Sequence, residues 1–130
     1  MGTINHDCLI ITTYASDEFN RLKLWIDTHV TESECNLITF FDSPYNGYKN
    51  IIVMPSGSKV GWDEYVEAEN LIDKLILVIN SLEYCDHSSP FAWVKVGYGE
   101  YGQKILQGNC KNVFNDKPYA TDPDIDKKSE

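Results

Sequence analysis

Arginine is almost missing from this chain. Arg21 is the one guanidinium among 11 basic residues, set against 20 acids for a net charge of −9. Non-specific duplex binding needs clustered Lys and Arg to displace phosphate counterions, and no such cluster occurs, which sets nucleic acid aside as a partner. Long hydrophobic runs are scarce as well: "CLIITTYA" is too short for a membrane span or a signal h-region, and residues 1–7 hold no basic segment. A cytoplasmic setting without membrane contact is expected.

Paired cysteine motifs are absent too. Cys8, Cys35, Cys85 and Cys110 form no C-x-x-C pair, which argues against a zinc ribbon or a redox dithiol and leaves buried, reduced thiols as the expectation. His6, His29 and His87 are far apart, with no H-x-H or H-E-x-x-H spacing, so no metal or cofactor is expected. The sequence has no G-x-S-x-G elbow and no cysteine in a context that marks it as activated. Catalysis is not expected.

What is present is an ordinary globular composition, 42% hydrophobic and 24% charged over 130 residues, enough for one domain with one core. Residues 1–115 read as that domain. Residues 116–130, "DKPYATDPDIDKKSE", read as a disordered polar tail. "DCLIITTY" is a β-branched apolar run suited to a central strand. Ser16, followed by Asp17 and Glu18, reads as an N-cap, and Phe19, Leu22, Ile26 and Val30 place a helix from Asp17 to about His29. "CNLITFF" and "YKNIIVM" are two strands joined by "DSPYNG", whose Asn46-Gly47 pair favours a tight turn.

From Trp62 an apolar stripe through Tyr65, Val66, Ile72, Leu75, Ile76, Ile79 and Leu82 predicts a second helix of about twenty residues. Asp63, Glu64, Glu67, Glu69 and Asp73 are expected on its wet face. "FAWVKVGY" is a fourth strand, and residues 97–114, with few apolar positions, read as a hairpin flap or partner-facing arm. The order βαββαβ predicts an α+β domain: a four-stranded, mainly antiparallel sheet with two helices on one face, in a ferredoxin-like, split βαβ arrangement. The other face is left for a partner or a second copy.

Two features carry the functional expectation. "PSGSKVG", between a strand and a helix start, places glycines, hydroxyls and Lys59 where backbone N–H groups can meet a phosphate or carboxylate. It lacks the Walker spacing, and a plain strand-to-helix connection with Ser58 as a turn or cap residue is the stronger of the two readings. The second feature is a set of aromatics at strand ends and in loops, Tyr14, Tyr45, Tyr48, Trp62, Trp93, Tyr98 and Tyr101, which can stack on a base, anchor an interface or close the rim of the core.

Four stretches, "NHDCLIITTY", "NGYKNIIVMPSGSKVGW", the helix after it and "SSPFAWVKVGYGE", together resemble a group of small tailed-phage proteins. Their pattern runs roughly H-H-A-I-I-V-T-S-W, N-G-Y-R-S-F, P-D-G-S-K-E-G-W and W-V-E-V-Q-Y-G-D. The likeness covers about residues 5–101 and is most specific at G-S-K-x-G-W. Shared positions are His6, Thr12, Asn46, Gly47, Tyr48, Gly57, Ser58, Lys59, Gly61, Trp62, Trp93, Val94, Tyr98 and Gly99. Asp7 stands where the group tends to have histidine, Tyr14 replaces tryptophan and Ser56 replaces aspartate.

The resemblance implies a bacteriophage protein working in the host cytoplasm against host defence. The expected function is a non-catalytic sponge, a homo-oligomer that sequesters an immune signalling nucleotide such as a cyclic oligonucleotide or an ADP-ribose derivative. The expected ligand residues are Thr12, Tyr14, Asn46, Tyr48, Ser56, Gly57, Ser58, Lys59, Gly61, Trp62 and Tyr98. The main alternative is an acidic inhibitor that binds a host defence protein directly, for instance as a DNA mimic; a small virion protein is a third reading.

Overall fold

The apolar run at Cys8–Ile11 lies in the middle strand of a five-stranded sheet ordered β2-β3-β1-β4-β5. The computed structural model describes residues 3–110. In chain order these form β1 (Asn5–Thr13), α1 (Ser16–His29), the short α2 (Glu32–Cys35), β2 (Ile38–Asp42), β3 (Lys49–Val53), α3 (Asp63–Ser81), β4 (Phe91–Gly99) and β5 (Gly102–Gly108). Every strand pairing is antiparallel, so the domain is mixed α+β. The proposed tail, residues 116–130, and the last part of the 97–114 arm lie outside the described residues.

The central position of β1 follows from its composition. Alternate residues of a strand point to opposite faces. Leu9 and Ile11 enter the core with Ile51, Val53, Phe91 and Trp93, beneath Phe19, Leu22 and Ile26 of α1 and Leu71, Ile72, Leu75, Ile76 and Ile79 of α3. Both long helices thus cover one face of the sheet. Cys8, on the other face of β1, is also buried, and burial pushes its thiol pKa up.

Several expectations change. Four strands become five, because residues 102–108 pair with β4 and complete an edge hairpin. Two helices become three, because the strand expected from Cys35 begins only at Ile38, and Thr31 and Glu34 close a capping box over α2. Ser16 lies within α1, and Ala15 takes the cap position without a side-chain bond. Cys35, Cys85 and Cys110 are exposed free thiols; Cys8 alone of the four is buried. On α3, Val66 is exposed, whereas Glu69, expected on the wet face, turns inward because Lys95 of β4 lies beneath it.

Candidate functional site

The expected ligand residues divide between opposite ends of the sheet. Thr12, Tyr14, Asn46 and Tyr48 lie at the end where β1 finishes. There Thr12 Oγ1 donates to Asn50 Oδ1 at 2.7 Å, and the rings of Tyr14 and Tyr48 meet at 5.3 Å. Asn46 and Gly47 both turn at positive φ, as the hairpin loop requires. Residues Ser56–Trp62 and Tyr98 lie at the other end, where Tyr98 pairs with His6. Six residue steps along β1 separate the levels of His6 and Thr12, a distance of roughly 20 Å. One small ligand does not reach both groups.

Three N–H groups of the G-S-K-x-G-W stretch are already taken, by a neighbouring side chain, by the chain before β1 and by the loop itself. Ser58 N–H donates to Ser56 Oγ at 3.2 Å, Val60 N–H to the Thr3 carbonyl at 2.8 Å, and Trp62 N–H to the Lys59 carbonyl at 3.1 Å. Gly57 and Gly61 provide the positive φ values, 80° and 91°, that bend the chain this tightly. Lys59 Nζ sits 5.1 Å over the Trp62 ring in a cation–π contact. An anion cradle needs N–H groups pointing outward. Three of those in this loop are already bonded inward, and Asp63 and Glu64 occupy the first turn of α3.

A different constellation gathers beneath the start of α3. Lys95 is 8% exposed, and its Nζ donates to Glu69 Oε1 at 2.9 Å. Tyr65 Oη donates to Asp7 Oδ2 at 3.2 Å. Burial, then a hydrogen bond to Asp7, pushes the Glu69 carboxyl up to about 7 against the pull of Lys95. Burial, together with the charges of Asp7 and Glu69, raises the Tyr65 phenol to about 12. Two carboxylates, one lysine and one phenol thus share a partly dry site in which one proton is held near neutral pH.

This cluster opens at Asp7 into a cavity of about 300 Å³ between the start of β1 and the β4–β5 hairpin. Asn5, Tyr98, Tyr101, Gln103 and Lys104 are among its lining residues. Gly97 lets Asp7 approach: a Cβ there would stand 3.0 Å from Asp7 Oδ1 and 3.1 Å from Leu106 Cδ1. Among the expected ligand residues, only Tyr98 borders this cavity.

Sequence reasoning missed the cluster because its members are dispersed, with 58 positions between Tyr65 and Asp7 and 26 between Lys95 and Glu69. A signal was present nonetheless. Glu69 falls at the edge of the apolar stripe of α3, and Lys95 alternates with Phe91 and Trp93 at inward-facing strand positions. Charges at core-facing positions need partners.

No family model, curated protein or solved structure matches the chain. Among the described residues, no group of three or more His, Cys, Asp or Glu is placed to hold a metal ion, and no helix is long and apolar enough to cross a membrane.

Proposed function

We propose that this is a phage anti-defence protein that binds and sequesters a host signalling nucleotide without catalysis, in the cavity beside the β4–β5 hairpin rather than on the 56–62 loop. The observation that carries the reading is the cavity itself. It offers a tyrosine ring at Tyr101 for a base and a cation at Lys104 for a phosphate. The Asn5 and Gln103 amides suit polar edges, and the Asp7 carboxylate suits ribose hydroxyls or base N–H groups. A volume of about 300 Å³ is at the small end for ligand sites and suits one nucleotide unit, as in an ADP-ribose derivative or one half of a cyclic dinucleotide. The order of the first four strands supports a ferredoxin-like core to which β5 adds one wall of this site.

A thermal-shift screen against cyclic oligonucleotides, ADP-ribose derivatives and plain nucleotides tests the reading. A ligand at a hundredfold excess over Kd stabilises by about 2.7 kcal/mol. Tyr101→Ala and Lys104→Ala are expected to weaken binding about tenfold each, roughly 1.4 kcal/mol, while Lys59→Ala leaves it unchanged. Loss on Lys59→Ala with Lys104→Ala neutral moves the ligand to the loop. No shift with any nucleotide rejects the sponge.

The acidic-inhibitor reading rests on a separate observation. Asp63, Glu64 and Glu67 are exposed at the start of α3 and make no ion pair among the described residues. A basic host protein recruited there would bind in a manner weakened by salt.

A further inference from the structure

The sheet face turned away from the helices is uncharged. The pairing register assigns His6, Cys8, Ile10 and Thr12 of β1 to that face, together with their partners on the neighbouring strands. None of the strand positions on it is Asp, Glu, Lys or Arg. The face centres on Ile10, Ile52, Val94 and Val96, and its flanks carry Phe41 and Ile105, 56% and 58% exposed. A solvated face of an antiparallel sheet is ordinarily the polar one. Here the charged strand residues Asp7, Asp42, Lys49, Lys95 and Lys104 all lie in the opposite register.

We infer that this face is the interface of a homodimer, with two copies packed sheet to sheet about a two-fold axis and the helices outermost. Charge selects a second copy as the occupant. Two chains of net charge −9 repel each other over most of their surfaces, and this face is where they can meet without opposing like charges. The extent agrees: five strands about 4.8 Å apart, each contributing about six residues at 3.3 Å, give a flat footprint of roughly 500 Å². Projecting side chains such as Phe41 and Ile105 raise the accessible area toward the roughly 800 Å² per partner of a stable interface. A patch with an apolar centre and uncharged polar flanks, among them Thr12, Thr39, Asn50 and Gln103, is also self-complementary under the two-fold rotation that closes most homodimers.

Sedimentation of the full chain between about 1 and 100 µM tests this. The expected mass at the upper concentration is twice 14.9 kDa. Phe41→Lys with Ile105→Lys, at two exposed positions where the fold tolerates charge, is expected to raise the dissociation constant at least a hundredfold. Leu77→Lys, on the outer side of α3 at 70% exposure, leaves it unchanged. A dimer that survives the double variant with native circular dichroism overturns the inference. So does a monomer at every concentration. If such a monomer binds an apolar dye, the face belongs to an unlike partner; if it binds none, residues 111–130 of the chain cover it.

Discussion

The two faces of the sheet invert the usual arrangement. The face beneath α1 and α3 presents Lys95 and Asp7 among its apolar residues, where Glu69 and Tyr65 of α3 meet them, while the face turned to solvent holds none of the charged strand residues. Burying charge costs free energy unless each group finds a partner, so the covered face is specific and fragile. Exposing apolar side chains costs less per residue, so the open face tolerates change in the isolated chain. The charged cluster therefore gathers on one side of β1 and the association surface on the other, with Tyr98 and Gln103 bordering both the cavity and the open face at the hairpin edge, and substitutions on the two sides are expected to differ in kind as well as size.

Among the charged groups of the cluster, the largest effect is expected from Lys95→Ala. Lys95 is 8% exposed and bonded to Glu69 at 2.9 Å, so its removal leaves two neighbouring carboxylates without their cation. Breaking one partner of a buried ion pair costs about 3–5 kcal/mol. Urea denaturation is expected to show a loss near the lower figure, because Glu69 can take up a proton. A loss under about 1 kcal/mol, the range of surface pairs, would show the cluster to be solvated and would erase the contrast between the faces.

A smaller effect follows from pH. The Glu69 carboxyl is pushed up to about 7 in the folded chain from an ordinary 4.5, so folding binds its proton more tightly. The stability this contributes is complete below about pH 4.5 and disappears as pH rises through about 7. At about 1.4 kcal/mol per pKa unit, the change is on the order of 1–3 kcal/mol once coupling to Asp7 and Lys95 is allowed for. Glu69→Gln, which keeps the shape without the titration, is expected to flatten the profile between pH 5 and 7. An unchanged slope in that variant would place the titrating group elsewhere.

How much of this was legible in the sequence depended on whether an element has one wet and one dry side. The second long helix and strand β4 were visible because Ile72, Leu75, Ile76 and Ile79, or Phe91 and Trp93, recur at the period of their element, and β1 because its apolar run is continuous and β-branched. The strand β5 was visible only as a hairpin flap within residues 97–114, alongside a partner-facing arm, and not as a fifth strand of the sheet, because all its residues are exposed and no alternation marks an edge strand. The short α2 has no room for a period, although Thr31-x-x-Glu34 spells its capping box. The candidate site was the least legible part. Glycines and lysine near a helix start drew attention to residues 56–62, while the site is assembled by strand pairing between Asp7 and Gly97. Asp7, where the chain departs from the pattern it resembles, joins the cluster to the cavity.

The smallest effect tests the open face. Ile105 is 58% exposed, so Ile105→Ala removes little that folding buries, and its cost is expected to stay within about 0.5 kcal/mol at nanomolar protein. Leu71→Ala, at a fully buried position across the sheet, is expected to cost about 2–5 kcal/mol at any concentration. The sharper test is how the Ile105→Ala cost depends on protein concentration. If two copies pack on this face, association stabilises the native state by mass action, and the variant, which associates less, falls further behind wild type as concentration rises. Unfolding midpoints measured at nanomolar and at about 100 µM protein separate the cases. A gap that widens means that Ile105 lies in an interface, and a constant gap means that the face remains exposed to water.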